Sequence, residues 1–293
     1  MRVFVTGATG FIGSAVLPEL LKAGHQVLGL ARSNAGVKSL ESAGVQAHRG
    51  HLEDLDSLRS GAAASDTVIH TAFIHDFSKF KENCDIDKRA IEALGAVLAG
   101  SDRPLIVSAG IPPWTPGRLM TEDAQPHADS PTPRVSEETA LALVKEGVNT
   151  AVVRLPQVHD TVKQGLVTYL IAIAREKGVS AFVGEGLNRW AAAHISDVAR
   201  LYRLALDQHE TGARYHAVGE EGVPLRDIAA AIGRGLKVPV VSLSQEQATA
   251  HFGPFFAMFA GLDLPASSAL TQKRLGWHPA GAGLISDLDH MQY

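Results

Sequence analysis

The chain has 293 residues, 45% of them hydrophobic, with 27 Lys and Arg against 31 Asp and Glu and a formal net charge of −4. So balanced a charge offers no field to gather nucleic acid or an anionic membrane, and a small-molecule partner is the expectation; the length suits one large α/β domain, or a nucleotide-binding domain carrying a smaller lobe. A single cysteine, Cys84, excludes an internal disulfide framework and suits a reducing, cytoplasmic setting.

The opening MRVFVTGATG is apolar for only a few residues before glycines intervene, so it reads as a first strand, RVFVTG at 2–7, and not as a secretory leader. FIGSAVLPELLKAG follows as a helix closed by Gly24, then QVLGLAR (26–32) as a strand, VKSLESAG as a helix and VQAHRG as a strand. LDSLRSGAAA is a helix leading to the strand TVIHTAF (67–73); DIDKRAIEALGAVLAG is a helix, PLIVSAG a strand, and TAVVRLP (150–156) a sixth strand. Strands separated by helices of this length favour a parallel doubly wound sheet with right-handed crossovers, a Rossmann-type α/β core.

Between them, residues 110–133, rich in Pro and polar residues, read as a long loop. After Pro156 the rhythm loosens. GLVTYLIAIAREKG is a helix whose apolar run falls far short of the roughly 20 residues of a membrane span. SAFVGEGLNRWAAAHI is expected to be mostly irregular, SDVARLYRLALDQ a helix capped by Ser196, and RYHAVG a strand returning to the main sheet. The remainder mixes helices with one strand. The expected division is a nucleotide-binding domain at 1–162 plus about 195–219, with 163–194 and 220–293 forming a smaller substrate lobe.

TGATGFIG places Gly7, Gly10 and Gly13 three apart, after a strand and opening a helix, with Thr9, Phe11 and Ile12 among them. Small residues there let the backbone approach a pyrophosphate whose charge the helix start favours. At the end of the second strand, GLARSN carries no carboxylate to take a ribose 2′-hydroxyl, whereas Arg32 with Ser33 beside it suits a 2′-phosphate. NADP(H) is therefore the expected cofactor.

The GxxGxxG spacing resembles the short-chain dehydrogenase/reductase superfamily, in the extended or atypical branch that includes the NAD(P)-dependent epimerase/dehydratase group. GHLEDLDSL resembles that family's GDLxDxxSL, VIHTAF its VIHLAA and VVRLPQVHD its RPxxVYG; AHISDVARLYRLAL and LGWHP are also family-like. The resemblance implies that His51 and Leu52 lie by the adenine, Thr71, Ala72 and Phe73 along the cofactor, and Pro156 and Val158 near the nicotinamide. Ser108, where the family's Ser-rich run begins, joins the cofactor set.

The family's catalytic Tyr, and the Lys one turn later, align with Arg134 and Glu138, and its Ser or Thr with Gly110 or Ile111. No tyrosine of the chain, Tyr169, Tyr202, Tyr215 or Tyr293, has a Lys four residues on. Arg134 cannot serve as a proton reservoir, but it can polarise a carbonyl or hold an acidic group; alternatively it pairs with Glu138 along a helix face. His75, with Asp76 adjacent, and His159 follow strand ends on the rim where doubly wound sheets bind ligands, and His194 precedes a helix; all three are candidates for proton transfer. Trp114 and Trp190 could wall an aromatic pocket. The resulting expectation is an NADPH-dependent reductase of a small, aromatic or polyketide-like carbonyl compound. A non-catalytic NADP-binding redox sensor and a nucleotide-sugar epimerase or dehydratase are the alternatives, and the resemblance allows a homodimer.

Overall fold

The structure is a computed structural model in which residues 1–112, 117–125 and 132–293 are described. Its first half alternates strand and helix: β1 (Arg2–Thr6), α1 (Phe11–Lys22), β2 (Gln26–Ala31), α2 (Asn34–Ser42), β3 (Gln46–Arg49), α3 (Leu55–Ala63), β4 (Thr67–His70), α4 (Phe80–Leu98), β5 (Leu105–Gly110), α5 (Ser136–Lys145) and β6 (Thr150–Leu155). The second half is more mixed: β7 (Gln157–His159), α6 (Val167–Lys177), β8 (Ser180–Val183), β9 (Arg189–His194), α7 (Ile195–Asp207), β10 (Arg214–His216), β11 (Glu220–Pro224), α8 (Leu225–Leu236), β12 (Val240–Leu243), α9 (Gln245–Gly261), α10 (Ala269–Leu275) and α11 (Leu284–His290).

Seven parallel strands form the main sheet in the order β10-β6-β5-β4-β1-β2-β3. Alternate residues of β1 serve its two faces, Val3 and Val5 packing among the residues of α1 and α7, and Phe4 among those of α3, α4 and α5. Between β1 and β4 the chain order reverses, which opens a crevice at the carboxyl ends of these strands. A separate apolar core joins α6, α8, α9 and α11 with β9 into the smaller lobe. Trp277 and Leu275, late in the chain, pack instead with α7 on the main sheet.

RYHAVG returns to the main sheet as β10 beside β6. The segment expected to be irregular is ordered: β8 pairs with β12, and β9 lies between β7 and β11. Its strand pairing comes from residues distant in the chain, which a local pattern does not contain. The cap of helix α7 lies two residues earlier than expected, at His194, whose Nδ1 accepts the Ser196 backbone N–H at 3.3 Å. In the expected loop at 110–133, Met120 bridges to Ala266 and both are fully buried; Trp114 falls outside the described residues. Among the described residues no helix is long and apolar enough to cross a membrane, and no cluster of His, Cys, Asp and Glu is suited to a metal.

Candidate active site

The turn between β1 and α1 is built around close backbone approaches. Gly7 has φ +68°, and a Cβ there would lie 2.7 Å from the Ala72 nitrogen. A Cβ on Gly13 would lie 2.1 Å from the Gly7 carbonyl oxygen, the same oxygen that accepts the Gly10 N–H at 2.8 Å. No side chain caps the 12-residue helix α1 after Gly10, so its first N–H groups and the positive end of its dipole remain for an anion. A cradle that any side chain would fill, at an uncapped helix start, fits the pyrophosphate of a dinucleotide.

From this cradle runs a cleft of about 930 Å³. Gly7, Thr9, Gly10, Phe11, Ile12, Gly13, Arg32, His51, Leu52, Thr71, Ala72, Phe73, Pro156 and Val158 all line it. Arg32 is exposed and makes no hydrogen bond or ion pair among the described residues. Two expected cofactor residues do other work. Ser33 caps α2 by accepting the Gly36 N–H at 3.1 Å. Ser108 is buried below the cleft, its hydroxyl donating to the His70 carbonyl at 2.7 Å and lying 2.6 Å from the Tyr202 hydroxyl.

Arg134 reaches the same cleft from the loop, two residues before α5. Its Nε donates to Ser136 Oγ at 3.0 Å, its Nη2 to the Ser108 carbonyl at 3.4 Å, and its guanidinium carbon sits 4.3 Å from the Phe73 ring centroid. Ser136 donates to Asp87 Oδ2 at 2.5 Å, His70 Nε2 lies 3.1 Å from Asp87 Oδ1, and His70 Nδ1 lies 2.8 Å from Thr6 Oγ1. Burial pushes the Asp87 carboxyl up, but His70, Arg134 and Ser136 outweigh it and hold the group below the ordinary aspartate value.

His75 lies just past β4 on the cleft wall, its ring 5.3 Å from Phe73 and 6.0 Å from Phe77. The side chain keeps contact with solvent, yet the protein around it and the Arg134 charge both disfavour imidazolium, and its pKa falls below the ordinary 6.5. His75 is thus the neutral imidazole at neutral pH. Adjacent Asp76 is engaged elsewhere, accepting the Ser78 N–H and hydroxyl at 3.1 and 2.6 Å. Beyond His75 the cleft wall is aromatic: Phe77 stacks on Phe255 of α9 at 4.3 Å, Phe80 meets Phe255 edge-on at 5.0 Å, and Tyr169 meets Phe77 at 5.2 Å.

Residues 3–96 match the NAD dependent epimerase/dehydratase family. An uncharacterized protein of Schizosaccharomyces pombe is 48% identical over 98% of this chain and 98% of its own. The chain belongs to the NAD-dependent epimerase/dehydratase family. A 4-hydroxy-2-methyl-3-oxo-4-farnesyl-3,4-dihydroquinoline-1-oxide ketoreductase of Stigmatella aurantiaca is 24% identical over 86% of this chain and 80% of that one. The NAD complex of Thermus thermophilus UDP-glucose 4-epimerase superposes with a TM-score of 0.77 at 19% identity, covering 99% of this chain and 97% of that one, a likeness of fold.

In this family member His159 and His194 meet each other, their rings 5.9 Å apart and both beside Asp287, while His75 alone of the three lines the cleft. His159 is fully buried and does not line the cleft; its Nδ1 lies 2.7 Å from Asp287 Oδ2, and burial lowers its pKa despite that carboxylate. His194 caps α7. The pairing of Arg134 with Glu138 is absent among the described ion pairs, because Arg134 stands ahead of the helix and the spacing of one helical turn does not apply. Trp190, 1% exposed in β9, lines the cleft as expected, and Phe77, Phe80, Phe255 and Tyr169 add the rest of its aromatic wall. FGPFFAMF held a signal for that wall in its density of aromatic residues. The cationic Lys163, which lines the cleft 5.7 Å from the Phe11 ring, had no signal in its surroundings.

Proposed function

We propose that this chain is an NADPH-dependent reductase of a small carbonyl compound with an aromatic or polyketide-like body. One observation carries the reading: the glycine cradle and Arg134, which lies over Phe73, line a single cleft. Arg32, exposed beside the cleft without a partner among the described residues, provides the planar donor fork that suits a 2′-phosphate. Likeness to a named ketoreductase supports the choice of reaction. The single, buried cysteine supports a cytoplasmic location.

When bound, the dinucleotide supplies the hydride. Arg134 places a fixed positive charge where the carbonyl oxygen gains negative charge. Being a permanent cation it releases no proton, and neutral His75 can offer a hydrogen bond without being the acid at neutral pH. The proton then comes from water or from the substrate. Phe77, Phe80 and Phe255 hold the apolar body and keep water from one flank of the cleft.

The test is NADPH oxidation by the purified chain across a panel of aryl ketones, vicinal diketones and polyketide-like β-ketones, alongside NADPH titration. Turnover of at least one class is expected. Tight NADPH binding with no turnover of any class would favour a redox sensor, and absence of NADPH binding would overturn the reading altogether.

A further inference from the structure

Asp87 occupies an unusual place for a carboxylate. It is 1% exposed on the inner face of α4, and no Lys or Arg pairs with it directly among the described residues. A buried carboxylate is costly unless its oxygens are satisfied, and each oxygen of Asp87 has one partner: His70 Nε2 on Oδ1 and the Ser136 hydroxyl on Oδ2. An apolar or amide side chain would fill the same volume at less cost, so the charge calls for a reason beyond packing.

Hydrogen-bond direction supplies it. A carboxylate can only accept, so Ser136 must spend its one hydrogen on Asp87 and is left with lone pairs alone, one of which takes the Arg134 Nε–H at 3.0 Å. The Ser108 carbonyl holds Nη2, and the Phe73 ring lies under the guanidinium plane. Three contacts therefore fix the group, while Nη1 has no hydrogen-bond partner among the described residues. On its other side Asp87 accepts from His70, which meets Thr6, the last residue of β1 before the glycine turn. One turn back along α4, Asn83, only 4% exposed, donates to the Asp76 carbonyl at 2.7 Å and steadies the loop that bears His75.

We propose that Asp87, acting through Ser136, is the positioning residue of this site, holding the Arg134 guanidinium ready for an anionic or negatively polarised oxygen on the ligand. The identity of that oxygen rests on the reductase reading; the positioning itself is measurable without turnover. The probe is benzoate, an aromatic anion, titrated calorimetrically into the full-length protein saturated with NADP⁺. Arg134→Ala and Ser136→Ala should each weaken benzoate by about tenfold or more, the scale of a lost charge-assisted hydrogen bond. Ser136→Thr, which keeps the hydroxyl, should restore it. In the Arg134→Ala background Ser136→Ala should have no further effect, since the two changes break one chain of contacts. Asp87→Asn should match Ser136→Ala; if it does not fold, the two Ser136 variants still decide the matter.

Additive losses in the double variant, no rescue by threonine, or no benzoate binding to the wild type would each overturn the proposal. Benzoate binding with the expected Ser136 and Arg134 dependence, in a protein that reduces no ketone, would sink the reductase reading and leave the positioning role standing.

Discussion

The sequence resemblance aligns Arg134 with the family's proton-donating tyrosine, and on the proposed reading a permanent cation there stabilises charge without supplying a proton. Arg134→Ala should lower kcat/KM for an accepted ketone by about 10²-fold or more, the range for losing one donor to a developing oxyanion. NADPH affinity should be nearly unchanged, because the contacts of the Arg134 side chain are to Ser136, Ser108 and Phe73 and not to the cradle glycines. Steady-state kinetics paired with cofactor titration checks both halves, and wild-type turnover in the variant would remove Arg134 from the chemistry. At the other end, Arg32→Ala should narrow the preference for NADPH over NADH by roughly 1.5–3 kcal/mol, the scale of hydrogen bonds to a charged group; an unchanged ratio of dissociation constants would refute the 2′-phosphate role. Arg134 was legible as a substitution within a motif. Its partners were not, because Ser108 and Phe73 reach it only once β4 and β5 lie side by side.

The glycine turn separates binding from folding within one element. A Cβ on Gly10 would meet the Gly7 oxygen at 3.1 Å, a contact that a small shift relieves, whereas one on Gly13 would meet it at 2.1 Å with no room to move. Gly10→Val should therefore abolish dinucleotide binding with little loss in Tm, while Gly13→Val should lower Tm sharply as well. Thermal melts and NADPH titration of both variants test this, and equal Tm losses would count against it. Helix α9 has its own break at Gly253, where φ 76° and ψ 163° admit little but glycine, just before Pro254 and Phe255. Here sequence and structure differ in an instructive way. Apart from the polar edge strand β3, the strands of the first half are mostly apolar runs buried on both faces and declare themselves locally, and the glycine motif announces its turn. Strand β8 is defined by partners 60 positions distant in β12, and β9 by an irregular register with β11, so neither declares itself locally.

Across the whole molecule one buried group of charges joins elements that are far apart in the chain. Arg154 of β6 forks onto the Glu137 carboxylate of α5 with two bonds of 2.6 Å, and Arg214 of β10 adds a third at 2.7 Å. Arg154 also reaches the Ala124 carbonyl at 3.1 Å and His216 Nε2 at 3.0 Å, and His216 Nδ1 meets the Ser267 carbonyl at 2.7 Å. His216 has no room for a second proton: burial, and then Arg154, push its pKa from 6.5 down to about 3. Burial raises Glu137, but Arg154 and Arg214 prevail and leave it below the ordinary 4.5. The two groups act in the same direction on stability. An unfolded His216 gains its proton as pH falls through 6.5 while the folded one resists, and an unfolded Glu137 gains its proton near 4.5 while the folded one stays charged. In both windows the unfolded chain binds more protons, so stability is full above the unfolded value and is lost as pH falls toward the folded value. Tm should accordingly decline in two stages, a first from pH 6.5 downward and a second below 4.5. His216→Gln should lower Tm at neutral pH by disturbing Arg154 and Ser267, yet flatten the first stage, to which buried His159 also contributes through its own lowered pKa. Glu137→Gln should flatten only the second. The measurement is thermal unfolding by circular dichroism across this range for the wild type and both variants. A wild-type Tm that stays level from pH 6.5 to 4.5 would show that protonation of the buried histidines is not coupled to unfolding.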